Sequence, residues 1–267
     1  TSIHIQGFKN FKDTKIESLR KVNLILGGQN VGKTSLLEAV YYKITNNQNI
    51  SDIFRIAEGG DWKRFMGAFL KNPPIIQLSD FSPKSALAIS LNLPNQSDIV
   101  KLIDNVVWTQ KEELLINLLH CIEPRLTSVR SLSPDGELRV YIGLRGLPTM
   151  IPLQQLGHGF SRLFYLYCSL LVTDSKLALI DEIENGIHYS SLPTMFKGIQ
   201  QIAADNDIQS LITTHSWECL RAACEVFSDK PELFQVIRLE RDGDNTKAVC
   251  IEGERMLRMM ERDMEVR

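Results

Sequence analysis

Lys33 and Thr34 close the string Gly27-Gly28-Gln29-Asn30-Val31-Gly32-Lys33-Thr34-Ser35, which meets the pattern G-x-x-x-x-G-K-[ST] at every defined position. That spacing suits one chemistry. Backbone N–H groups around a glycine-rich turn cradle phosphates, the lysine reaches the β and γ phosphates, and the Thr34 hydroxyl can ligate Mg²⁺. Further on, the apolar run Leu177-Ala178-Leu179-Ile180 ends in Asp181 and Glu182. Asp181 could hold the same Mg²⁺, directly or through water, and Glu182 could act on the attacking water as base or orienter. Alone, such a run is equally an ordinary strand end; downstream of a phosphate loop the chemical reading is favoured. A third apolar run, Leu211-Ile212-Thr213-Thr214, delivers His215, whose imidazole could bond the γ-phosphate or the attacking water.

A second glycine cradle lies at Gln155-Leu156-Gly157-His158-Gly159-Phe160-Ser161-Arg162. Two close glycines before an apolar helix leave N–H groups exposed to an anion. One nucleotide has no need of two cradles. Either this turn caps the nucleotide of a second subunit, with Arg162 adding charge, or it is an ordinary glycine turn before a core helix.

The elements around these residues read as an α/β fold. Val22 to Leu26 is a short apolar β-former leading into the loop, and residues 35–44 have helical spacing. A helix N-terminus there adds its partial positive charge to the cradle. Residues 1–26 are β-rich: Ser2 to Phe8 alternates, and Thr14 to Leu19 is a second strand. Helices are expected over Trp62–Leu70, from Ser97 to about Arg125, over 163–172 and about 190–204, and beyond His215. Strands are expected within 75–93, over Leu138–Ile142 and at Gln209–Thr214. Strands alternating with helices predict a mostly parallel sheet flanked by helices. The expected organisation is one ATPase head over 1–267. Its nucleotide-binding core is 1–45 and 151–250, an inserted lobe spans 46–150, and 251–267 is a charged C-terminal helix. Without a long heptad run the lobe is compact rather than an extended spoke.

Composition narrows the class. The 267 residues are 43% hydrophobic and 23% charged, with a formal net charge of −2, ordinary for a soluble domain and unhelpful to a stand-alone nucleic-acid binder. A local basic face could still draw on Arg125, Arg130, Arg139 and Arg145, though such arginines are more often solvated. The five cysteines are scattered and form no C-x-x-C pair, which predicts free thiols and no metal site. The longest apolar run, Leu163 to Val172, is too short for a membrane span, and no signal-like segment opens the sequence. A cytoplasmic protein without a membrane partner is expected.

Taken together, G-G-Q-N-V-G-K-T-S, L-G-H-G-F-S-R, L-I-D-E-I-E-N-G-I-H and T-T-H-S resemble the ABC-type ATPases. Ile5-Gln6-Gly7-Phe8-Lys9-Asn10-Phe11 and T-T-H-S-W-E-C narrow the resemblance to the OLD-type (overcoming lysogenization defect) group, relatives of the SMC and RecF-like heads. The resemblance implies a homodimer sandwiching two ATPs with Mg²⁺. Gly157, His158, Gly159 and Arg162 of one head would face the phosphate held by Lys33 and Thr34 of the other. Glu182 would be the catalytic carboxylate and His215 the switch histidine. It also implies a glutamine at the metal, for which Gln77 is the candidate and Gln96 the second choice. Gly157 stands where the common signature has serine. OLD-type proteins with their own nuclease carry a C-terminal Toprim domain; here the expectation is an effector, such as a nuclease, on a separate polypeptide in DNA processing or phage defence. A soluble subunit of a membrane transporter and a DNA-repair head are the alternatives. The Met256, Leu257, Met259, Met260 and Met264 stripe could bind a partner or pack on its own head.

Overall fold

The computed structural model describes residues 2–45, 74–79, 83–89 and 94–262. The expected helix at Trp62–Leu70, the polar break at 46–49 and Met264 lie outside the described residues. The chain runs β1 (Ser2–Phe8), β2 (Phe11–Ile16), β3 (Val22–Gly27), α1 (Lys33–Ile44), β4 (Ile75–Ser79) and β5 (Leu87–Ile89). It continues through α2 (Gln96–Trp108), α3 (Glu112–Leu119), β6 (Leu126–Leu132), β7 (Arg139–Leu144), β8 (Ile151–Pro152) and α4 (His158–Val172). Then follow β9 (Leu177–Ile180), α5 (Leu192–Asp205), β10 (Gln209–Thr213), α6 (Trp217–Val226), β11 (Phe234–Asp242), β12 (Asn245–Glu252) and α7 (Gly253–Glu261). They form two compact units, one of residues 1–91, 175–183 and 207–267, the other of 92–174 and 184–206.

The first unit holds a six-stranded sheet in the order β12-β11-β3-β10-β9-β5, parallel throughout except for the β11–β12 hairpin. Parallel strands covered on both faces must be apolar along their whole length. Accordingly Leu24, Ile25, Leu177, Leu179, Leu211 and Ile212 are all essentially inaccessible. Helix α1 lays Leu36, Leu37, Ala39 and Val40 into the same cluster as Ile25, Leu179 and Leu211. Phe8, Phe11 and Ile16, from a second, antiparallel sheet ordered β2-β1-β4, complete that core. At the opposite sheet edge, buried Asn23 ties three strands together. Its Oδ1 accepts from Arg20 N and Gln235 Nε2, both at 2.8 Å, and its Nδ2 donates to Ser210 O at 2.9 Å. Bonds to buried amides of this kind fix which strands lie side by side.

In the second unit α4 is the central helix, with Phe164, Tyr167, Cys168, Leu170 and Leu171 inaccessible or nearly so. It packs against α2, α3 and α5, and β6-β7-β8 form a small antiparallel sheet. Lys111 Nζ donates to Leu171 O at 2.6 Å, a cation on the negative end of α4.

Several expectations change. The helical stretch expected from 97 to 125 is two helices, broken at Gln110, whose φ is 58°. The second of these ends at Leu119, and β6 follows from Leu126 with Leu126 and Val129 buried and a register shift between Leu126 and Ser128. Strand β2 begins at Phe11 rather than Thr14, because Phe11 packs in the core opposite Phe8. Helix α4 starts at His158, five residues before the apolar run expected to form it. The hairpin β11–β12 was not anticipated, since its outward Arg238, Glu240 and Lys247 dilute the apolar pattern. The second unit starts at residue 92 and takes in the Gly157–Gly159 turn.

Candidate active site

Strands β3, β9 and β10 lie side by side and parallel, so the residues after their carboxyl ends meet at one edge. That edge of an open α/β sheet is where ligands bind. It carries the glycine loop after β3, Asp181-Glu182 after β9 and Thr214-His215 after β10.

The loop needs its glycines for stated reasons. Gly27 has φ 150°, and a Cβ there would lie 2.7 Å from Leu239 O and from Val31 Cγ2. Gly32 has φ 101°, and its Cβ would press 3.3 Å from the Phe11 ring. Asn30 takes φ 57°, which asparagine tolerates better than most residues. Gly32 is the N-cap of α1, no side chain caps the helix, and its first turn holds no acid. No side-chain cap and no acid therefore compete with an anion at the N-terminus of α1.

Neighbouring elements hold the loop. Thr246 Oγ1 donates to Val31 O at 2.9 Å, and Asn10 Nδ2 donates to Asn30 O at 3.2 Å. Lys9, beside Asn10, forms an ion pair with Glu38 of α1, whose side chain is 3% exposed. Burial pushes the Glu38 carboxyl above the usual carboxylate range; Lys9 opposes that shift and the charge of Asp181 adds to it.

Lys33 lies buried over the loop, with Nζ donating to Gly27 O at 2.7 Å and Gly28 O at 2.8 Å. Thr34 Oγ1 stands 3.2 and 3.0 Å from the two oxygens of Asp181. Asp181 Oδ1 also accepts from Thr213 Oγ1 at 2.6 Å, and Thr213 Oγ1 accepts from the Glu182 amide at 2.8 Å. His215 Nε2 is 3.6 Å from Glu182 Oε1. A cavity of about 400 Å³ is lined by Asn10, the loop from Gln29 to Ser35, Glu182 and His215. A hydroxyl and a carboxylate in contact form a hard oxygen donor pair of the kind Mg²⁺ takes, and Lys33 with the helix N-terminus suits the phosphates.

Lys33, Thr34, Asp181, Glu182 and His215 thus come together. Gln77 does not join them. It is an exposed residue in mid-strand on β4, paired with His4, and is not among the residues lining the cavity. Gly157, His158, Gly159 and Arg162 belong to the second unit. Gly157 (φ 87°) caps α4 without a side-chain bond, and Gly157 and His158 are exposed. Arg162 is 6% exposed, a buried side chain rather than a charge presented at a surface. The turn packs on the loop after Glu184: a Cβ on Gly159 would lie 2.6 Å from Gly186 O.

Sequence reasoning missed Thr213, Asn10 and the Lys9–Glu38 pair. Thr213 carried one signal, a hydroxyl ending an otherwise apolar strand; Glu38 carried another, an acid one turn after Thr34 on the buried face of α1.

Residues 147–220 match an AAA ATPase domain and residues 2–117 an AAA domain. A protein of Helicobacter pylori (strain ATCC 700392 / 26695) described as an ATP/GTP phosphatase is 22% identical, the match covering 94% of this chain and 91% of that one. Among solved structures, an SMC head bound to the C-winged helix domain of ScpA aligns with a TM-score of 0.60 at 13% identity, over 94% of this chain and 97% of that one. The SMC head domain from Thermotoga maritima aligns with a TM-score of 0.56 at 12% identity, over 94% and 98%. At such identities the likeness speaks for the fold. By that likeness the chain has the ABC-type head fold of P-loop NTPases, and the two domains matched along its sequence are an AAA ATPase domain and an AAA domain.

Proposed function

We propose that this chain is an ATP-driven molecular switch of the SMC/RecF-like kind, similar to the OLD-type group. The observation that carries the reading is the continuous hydrogen-bonded path from Thr34 through Asp181 and Thr213 to the Glu182 amide, laid along the edge that holds Lys33. Lys33 and the N-terminus of α1 hold the triphosphate. Thr34 and Asp181 hold Mg²⁺, which when bound neutralises charge on the phosphate oxygens. Glu182 orients or deprotonates the water, and His215, 3.6 Å from Glu182, contacts the same region.

The exposed, uncapped turn at Gly157-His158 is the second anion site of the proposal, serving the nucleotide of another copy. Two copies would then close around two ATPs and open on hydrolysis, a motion that gates a protein partner. One of the similar SMC heads is itself bound to a protein partner, the C-winged helix domain of ScpA. For this chain the OLD-type resemblance points to an effector on another polypeptide, a nuclease in DNA processing or phage defence, acting in the cytoplasm. No helix among the described residues is long and apolar enough to cross a membrane. A DNA face is less favoured: Arg125, Arg130 and Arg139 are engaged by Glu123, Glu112 and Glu137 respectively.

The test is hydrolysis against protein concentration. A site shared between copies gives a rate rising more than linearly; a strictly linear rate from a proven monomer rejects the dimer.

A further inference from the structure

Thr213 ends β10 with none of its surface exposed; it opens the T-T-H-S string, but no role was given to it above. Its hydroxyl lies 2.6 Å from Asp181 Oδ1 and 2.8 Å from the Glu182 amide nitrogen. Proton count fixes the direction of both bonds. An amide N–H can only donate and an ionised carboxylate can only accept, so the single hydroxyl proton goes to Asp181 and the Glu182 N–H comes to the oxygen. The Thr213 carbonyl meanwhile accepts from the Ile183 amide at 3.1 Å. One residue of β10 therefore holds both amides that follow Asp181.

Those amides belong to an unusual turn. Glu182 has φ 44°, in the left-handed region that strains a side-chain-bearing residue and persists only where the surroundings impose it. The turn aims the Glu182 carboxylate into the cavity of Lys33 and Thr34 and places it 3.6 Å from His215. Without the bond to Thr213, the turn at Glu182 would have less to hold it.

We propose that Thr213 is a positioning residue for hydrolysis: its hydroxyl locks the backbone of Glu182 to the carboxylate of Asp181 and so sets where the Glu182 side chain stands. The proposal rests on Glu182 acting on the water. It does not require Thr213 to touch nucleotide.

Two variants separate hydroxyl from shape. Thr213→Val keeps the volume and removes the donor and acceptor; Thr213→Ser keeps the hydroxyl. A small displacement of a reacting group costs roughly 10- to 100-fold in rate, so single-turnover ATP hydrolysis by Thr213→Val is expected to fall by about that factor. ATP affinity is expected to stay within about threefold, because Lys33 and the loop are untouched, and Thr213→Ser to keep the rate within about threefold. In a Glu182→Gln background, adding Thr213→Val is expected to change the residual rate by less than about twofold, since residues acting as one unit are non-additive. Hydrogen exchange at the Glu182 amide is expected to quicken by about fivefold or more in Thr213→Val and not in Thr213→Ser. An unchanged rate in Thr213→Val, an equal loss in Thr213→Ser, or a full further loss in the Glu182→Gln background overturns the proposal. If Glu182→Gln itself hydrolyses ATP at the wild-type rate, the reading of Glu182 fails. The exchange result then decides the backbone lock alone, unchanged exchange rejecting it.

Discussion

Gly159 and Gly186 lie so close that a Cβ on Gly159 would come within 2.6 Å of the Gly186 carbonyl oxygen, and a Cβ on Gly186 within 2.6 Å of His158 Nδ1. The turn that opens α4 and the loop after Glu184 therefore share one contact that only glycine permits. Gly186 also has φ 74°, which any other residue would strain to adopt. Gly159→Ala and Gly186→Ala are each expected to destabilise the protein by about 1–3 kcal/mol, read from urea denaturation. Gly136→Ala, whose Cβ would meet nothing within 4 Å, is expected to cost less, only the strain of its φ of 88°.

A fourth glycine reverses a usual sign. Gly198 sits inside α5, where alanine normally stabilises a helix by about 1 kcal/mol. Here the added methyl would lie 2.5 Å from the Tyr167 hydroxyl oxygen. Gly198→Ala is expected to lower the denaturation midpoint; a raised midpoint would show that α4 and α5 do not pack this closely.

Lys9 and Glu38 carry a stability prediction with a pH signature. Glu38 is nearly inaccessible and Lys9 is 24% exposed. Lys9→Met leaves the carboxylate buried without its partner, an expected loss of about 2–3 kcal/mol at pH 8, discounted from a fully buried pair for the exposure of Lys9. Burial raises the Glu38 carboxyl, so the folded state takes up its proton more readily than the unfolded chain. A raised carboxyl contributes stability fully below its unfolded value and loses it as pH rises through the folded value. The deficit of Lys9→Met should therefore shrink as pH falls toward 5. A deficit that grows on acidification would contradict the buried pair.

Thr34 and Asp181 divide binding from metal dependence. Lys33→Ala removes the buried cation and is expected to weaken ATP binding by roughly 10- to 150-fold, as loss of a charged hydrogen-bond partner does. Thr34→Val and Asp181→Asn should instead mainly raise the Mg²⁺ concentration needed for half-maximal hydrolysis. Equal effects of all three on metal-free nucleotide binding would speak against the donor pair.

The loop from Gly27 to Ser35 was legible in the sequence because its chemistry demands fixed types at fixed intervals. Asp181, Glu182 and His215 were legible because apolar parallel strands deliver their next residues to one edge. Gln77 was misplaced for want of such a rule: position between a proline pair and a strand says nothing about which sheet the strand joins, and β4 pairs with β1. Thr213 escaped because its role is set by a hydrogen bond across strands, between residues far apart in the chain. The β11–β12 hairpin escaped because one face of an edge hairpin is charged. Its signal was the Asp242-Gly243-Asp244-Asn245 turn between two alternating runs.

The most direct test of ATP hydrolysis at this edge is the pair of measurements on Glu182→Gln: ATP affinity and single-turnover hydrolysis. Loss of a group that acts on the attacking water should leave affinity within about threefold and slow hydrolysis by about 100-fold or more. Hydrolysis at the wild-type rate, or loss of ATP binding with the rate of the bound fraction unchanged, would contradict the account.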